Sequence, residues 1–185
     1  MPTKIADIQL HASGHLRPSD PPGRSAPAAA VLGHATNFMN ADRVWEFIDA
    51  NVLVYAFDSS AGAKQERAAE LLARLWDSGT GCLSIQVLQE FFVTVTRKVP
   101  HPLSIDEAAD RIREFALWKM FSPAADDVLA AIVLHKQAKL SFWDAMVVQA
   151  AAQTECDTLW TEDLSDGQLV RGVRIRNPFS AQSQD

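Results

Sequence analysis

The stretch V44-W-E-F-I-D-A-N-V-L-V-Y-A-F-D58 decides how the rest of the chain is read. It opens as an apolar strand, VWEFIDA, and then places an aspartate, Asp49, at the strand's end. A buried carboxylate is costly unless a partner compensates its charge. Asp49 therefore marks either a turn or helix cap, where Asp and Asn are favoured, or a ligand position.

Downstream, strands and helices alternate. An amphipathic helix over residues 63–78 carries apolar Ala68, Leu71, Leu72, Leu75 and Trp76 and ends at Gly79 and Gly81. A short strand GCLSI (81–85) leads into a helix over 86–99, stopped by Pro100 and Pro102. Ser104 and Glu107 have the spacing of a capping box for a helix over 105–118. A strand KMFS (119–122) precedes a helix over 123–139 with Pro123 in its first turn. Ser141 opens a helix over 142–155, DTLWT (157–161) is a strand, 162–168 a loop and GVRIRNP (172–178) a last strand. Strands separated by helices predict an α/β domain with a mainly parallel sheet of four to five strands covered on both faces. In such sheets ligands bind off the carboxyl ends of the strands, where strand order reverses. Asp49 and Asp163 both fall at strand ends and should meet there.

Composition narrows the class. Of the nine prolines, five lie in residues 1–40, where no helical or strand period holds. That segment reads as a disordered extension, and Met39, close before the first strand, reads as the true start of translation. The domain is expected over 44–178, with 179–185 as a tail. The net charge of −6 argues against a simple basic nucleic-acid binder, though bound cations can invert local sign. Cys82 and Cys156 lack metal-ligand spacing and fit small core residues in a reducing compartment. No apolar run approaches the roughly 20 residues of a membrane span, and the 26–35 run is too broken for a leader, so a cytoplasmic location is expected.

Each candidate acid has an ordinary structural role open to it. Glu90 shares a helical stripe with Gln86, Thr94 and Arg97, which fits a solvated face. Asp144, three residues after Ser141, fits a capping box. Asp163 and Asp166 fit a polar loop, and Glu162 is expected to face solvent. As a set, however, they converge on one sheet edge, where like charges raise one another's pKa unless cations sit among them. Oxygen ligands without His or Cys suit Mg2+ or Mn2+ rather than zinc.

The motifs FIDANVLVYAFD, SIQVLQEFFVTVTRK, LSFWDAMVVQAA and TLWTEDLSDGQ, in this order, resemble the PIN-domain ribonucleases, in particular the VapC-like toxins of bacterial toxin–antitoxin pairs. The resemblance runs from Val44 to Pro178. It implies a three-layer α/β/α sandwich and an acidic centre of Asp49, Glu90, Asp144 and Asp163 holding Mg2+ or Mn2+. Asp166 stands behind or replaces Asp163, and Asn51 and Thr161 support the site. It further implies endonucleolytic cleavage of RNA, a homodimer, and a small antitoxin whose tail enters the acidic crevice. Candidates for RNA contact are Arg97, Lys98 and His101, and Arg171, Arg174 and Arg176, although each group also fits a solvated surface.

Two alternatives compete. Asp49-Ala-Asn-Val-Leu53 echoes the first motif of haloacid-dehalogenase-like phosphatases, but Asn51 stands where a general acid is needed and cannot donate or take a proton in that role. A non-catalytic protein-binding module is the other, and the crowding of carboxylates argues against it.

Overall fold

A computed structural model describes residues 43–180. The proposed extension over 1–40 and the start at Met39 lie outside the described residues. The elements run β1 (Glu46–Ile48), α1 (Ala50–Phe57), α2 (Ala63–Ser78), β2 (Gly81–Ser84), α3 (Ile85–Arg97), α4 (Ile105–Phe115), β3 (Lys119–Phe121), α5 (Ala125–Ala138), α6 (Phe142–Gln153), β4 (Thr158–Trp160), β5 (Leu169–Val170) and β6 (Val173–Arg176). Their sheet order is β3-β2-β1-β4-β6-β5. All neighbours pair in parallel except β5 and β6, which form an antiparallel hairpin. The expected sheet of four to five strands is thus extended by the two-residue β5, too short to announce itself by alternation.

Connection handedness explains the layers. The crossovers β1 to β2 and β2 to β3 step in one direction, and the crossover β3 to β4 steps back the other way. Right-handed crossovers therefore place α2, α3 and α4 on one face and α5 and α6 on the other. The central strands are buried on both faces: Phe47 and Ile48 in β1, and all four residues of β2. β6, between β4 and the short edge strand β5, alternates instead, with Val173 and Ile175 inward and Arg174 and Arg176 outward.

α1 is the element that the sequence pattern hid. Val52, Val54 and Tyr55 favour extended backbone. Here Asp49 caps the helix, its Oδ1 accepting the Ala50 N–H at 2.6 Å, and the buried Val52, Leu53 and Ala56 anchor it. Tertiary packing outweighs local preference, as is usual for short helices. The Ser104–Glu107 capping box forms on α4 as read from sequence. Phe179, assigned to a tail, instead packs edge-on against Tyr55 with ring centroids 5.1 Å apart. Cys82 and Cys156 are buried and free as expected, but they are neighbours in space. The Cys156 side chain and burial push the Cys82 thiol up, which keeps it neutral and inert.

Gly79 ends α2 with φ 63°, a left-handed cap that favours glycine. Gly81 is needed for a different reason. A Cβ there would stand 2.2 Å from the Trp118 ring, which closes the aromatic cluster with Phe115 and Trp76. Gly81→Ala is expected to destabilise the domain by about 1–3 kcal/mol through overpacking, seen as a lower urea midpoint at unchanged slope.

Candidate metal centre

The reversal of strand order lies between β1 and β4. Their register pairs Ile48 with Trp160, so the next residues, Asp49 and Thr161, leave the sheet side by side at its carboxyl edge. The Asp49 N–H donates to the Trp160 carbonyl at 3.0 Å, and the Thr161 N–H donates to that of Arg176 at 3.0 Å. Both residues are buried.

A closed network joins them. The Thr161 hydroxyl donates to Asp49 Oδ2 at 2.7 Å and accepts from the Asp163 N–H at 3.2 Å. The Asn51 amide nitrogen faces three acceptors: Asp163 Oδ2 at 2.9 Å, Thr161 Oγ1 at 3.1 Å and Asp49 Oδ2 at 3.3 Å. This orientation leaves Asn51 Oδ1 buried without a donor.

The electrostatics follow from this packing. Burial pushes the Asp49 carboxyl up to about 7, against the bonds from Thr161 and Ala50, which favour the ion. The charges of Asp163 and Glu90 raise it further. Glu90 thus shares the field of Asp49, and α3 explains how. The helix starts at the carboxyl edge of β2, where Ser84 caps it by accepting the Val87 N–H. The stripe read as solvated dips into the protein at this end: Gln86 is buried and donates to Glu90 Oε1 at 2.8 Å.

Asp144 reaches the same edge from the opposite face. The far end of α6 is fixed by Lys119, at the start of β3, whose ammonium donates to the Thr154 carbonyl at 2.6 Å. The first turn of α6 therefore lies at the carboxyl edge. Ser141 Oγ accepts the Asp144 N–H at 3.1 Å, but the reciprocal bond that completes the Ser104–Glu107 box is not made. The Asp144 carboxylate is thus not spent on capping. Asp166 is placed elsewhere: its Oδ1 accepts the Asn177 N–H at 2.9 Å and ties the loop to the end of β6. Asp163, not Asp166, shares the Asn51–Thr161 network.

The basic candidates mostly lie away from this edge. Arg97 and Lys98 end α3, about 10 Å along the axis beyond Glu90. His101 is exposed in the following loop. Arg171, with φ 51°, turns the β5–β6 hairpin at the sheet's amino edge, and Arg174 pairs with Thr158 near the same end. Arg176, level with Trp160, lies closest to the carboxyl edge. Two cations that the sequence reading passed over bond the segments beside the site. Lys64 bonds Glu162, and Arg67 donates to the Phe179 carbonyl at 3.0 Å. Glu162 itself, expected in solvent, is half-buried and paired with Tyr55 and Lys64.

The PIN domain family model matches residues 47–165, more than half of the chain. The chain belongs to the PIN domain family. No curated protein sequence matches it significantly. Among solved structures it is similar to a toxin–antitoxin complex from Klebsiella pneumoniae (TM-score 0.54, 16% identity, 72% of this chain and 98% of that one). It is also similar to DNA-bound VapBC from Salmonella typhimurium (TM-score 0.53, 12% identity, 73% and 98%). A third is VapBC2 from Rickettsia felis bound to a promoter DNA fragment (TM-score 0.52, 16% identity, 72% and 98%). At these identities the likeness is one of fold. Family membership displaces the phosphatase alternative, and Asn51 commits its amide to three oxygens rather than to acid catalysis.

The PIN site's residues fit a hard divalent cation. The available donors are all oxygen: Asp49, Glu90, Asp163 and the orphaned Asn51 Oδ1, with Asp144 at the same edge. Among the described residues no group of three His, Cys, Asp or Glu side chains is placed to hold a metal ion together.

Asp49 makes the cation-free protein sensitive to pH. Between about pH 4 and pH 7 the folded chain keeps a proton that the unfolded chain has lost. The stability due to the neutral carboxyl is therefore full below about pH 4 and is lost as pH rises through about 7. In chelator, Asp49→Asn is expected to flatten this decline, leaving the variant's stability nearly independent of pH over this range. Thermal melts of both proteins from pH 5 to pH 8 test this. The slope is the readout, because the amide also alters the bonds to Ala50 or Thr161. Parallel profiles would refute the buried charge as the cause.

Proposed function

We propose that the chain is a divalent-metal-dependent endoribonuclease and the toxin component of a toxin–antitoxin pair. The observation that carries this reading is the buried Asp49, bonded by Asn51 and Thr161 and facing the charges of Asp163 and Glu90 at the sheet's switch point. Such a constellation is costly as a mere scaffold and useful as a cation site. Membership of the PIN family and the likeness of fold to toxin–antitoxin complexes support it.

In this reading Asp49, Glu90, Asp144 and Asp163 hold Mg2+ or Mn2+, directly or through water. The bound cation supplies Lewis-acid activation of water and stabilises charge on the phosphodiester. The chain's own part is electrostatic and positional. Thr161 and Asn51 fix the Asp49 carboxylate, and Asn51 also holds Asp163 beside it. Preorganised groups of this kind avoid reorganisation during the reaction. Arg176 is the candidate of the basic set best placed to meet the phosphate backbone. The partners proposed are RNA, a second copy of the chain and a small antitoxin, in the cytoplasm. Exposed Leu129 and Val133 on α5 and exposed Trp143 at the start of α6 offer apolar surface for such contacts. No helix among the described residues is long and apolar enough to cross a membrane.

Purified protein incubated with total cellular RNA is expected to give discrete cuts with Mg2+ or Mn2+ and none with chelator. Asp144→Ala, purified identically, should lose at least about 100-fold in rate. Equal cleavage by both folded proteins would point to a contaminating nuclease, and no cleavage by either would favour a binding module. Strong expression of the wild-type chain alone is expected to arrest growth, and Asp144→Ala to relieve it. Unhindered growth with soluble wild-type protein would count against the toxin reading.

A further inference from the structure

Beside the acidic crevice stands a second cluster, built from α1, the start of α2, the segment after β4 and the chain around Phe179. Glu162 Oε1 accepts the Tyr55 hydroxyl, and Oε2 accepts the Lys64 ammonium at 2.5 Å. Lys64 also donates to the Tyr55 hydroxyl oxygen at 3.2 Å, which closes a triangle of three groups. The ammonium lies 4.5 Å from the centre of the Tyr55 ring and 5.3 Å from that of Phe179. Bonds to ionised partners are the strong ones, and the two rings add cation–π contact to the ammonium.

Its place in the chain gives it a purpose. Glu162 stands between Thr161 and Asp163, two members of the metal-centre network. Tyr55 lies one helical turn after Asn51, on the same side of α1. α1 therefore grips three consecutive residues at two points: Asn51 holds Thr161 and Asp163, and Tyr55 holds Glu162 between them. The grip is needed because Asp163 is exposed and its charge opposes that of Asp49. Lys64 offsets the charge of Glu162, so the strut adds no net negative charge to an acidic crevice.

We propose that Glu162, clamped by Tyr55 and Lys64, is a positioning residue that holds Asp163 in place beside Asp49 for cation binding and catalysis. The inference rests on the metal-dependent reading above. It reaches side chains outside the set that would hold the cation.

The test uses the full chain and Mn2+ alone, titrated by calorimetry, together with kcat and KM for cleavage of an RNA oligonucleotide. Glu162→Ala is expected to weaken Mn2+ binding about 10-fold, the lower end of the range for residues that orient metal ligands. It should lower kcat while leaving KM for RNA unchanged. Glu162→Gln keeps an acceptor but loses the ion pair with Lys64, and should recover only part of both losses. Tyr55→Phe keeps the ring packing and the Lys64–Glu162 bond, and should fall between wild type and Glu162→Ala. Wild-type Mn2+ affinity in folded Glu162→Ala would overturn the proposal. So would an effect confined to KM, which would make Glu162 a substrate contact instead. A wild-type chain that binds no Mn2+ would overturn the functional reading itself, and this inference with it. Wild-type protein that binds Mn2+ but cleaves no RNA would still let the affinity comparison decide the role of Glu162.

Discussion

The structure depends on one costly placement, a carboxylate buried where β1 and β4 end together. Asp49 does several things there. It caps α1, it ties that helix to β4 through Thr161, and it brings negative charge to the crevice at the sheet's switch point. Remove its hydrogen bonds and both the start of α1 and the segment bearing Asp163 lose their anchor. The cost of burying it appears in its pKa, raised to about 7. A cation is the compensation that the surrounding oxygens can offer.

The parallel order of the strands brings this about without sequence proximity. Residues 49, 90, 144 and 163 come from four separate connections, two over one face, one over the other and one the loop between β4 and β5. Each meets the carboxyl edge because parallel strands all end there and the following or preceding helices start there. Ser84 and Ser141 fix the first turns of α3 and α6 and so set the heights of Glu90 and Asp144. Hydroxyl caps, ordinary devices of helix termination, thereby set two acids of the candidate site.

Much of this was legible in the sequence because it rests on period and punctuation. The apolar runs of β1, β2 and β4, the glycine stop after α2 and the caps at Ser104 and Ser141 all act locally. α1 was not legible, because its β-branched residues follow the strand without a break and only tertiary contact makes them helical. β5 was too short to show a period. For the site, the acids at strand ends and helix starts could be read, and Asn51 and Thr161 followed from the family resemblance. Glu162 was misread because a charged residue in a loop defaults to solvent. Its partners Tyr55 and Lys64 lie about a hundred residues upstream, and no local signal joins them. The choice between Asp163 and Asp166 likewise needed the loop's path, which turns Asp166 toward the backbone of Asn177.

The central claim is that a divalent cation compensates the charge of Asp49. If so, binding must displace the proton that Asp49 otherwise holds. Calorimetric titration of Mn2+ in buffers of different ionisation enthalpy counts that proton. With the carboxyl titrating at about 7, release of nearly one proton per bound cation is expected at pH 6 and almost none at pH 8. Binding without proton release at pH 6, or no binding at either pH, would contradict the account.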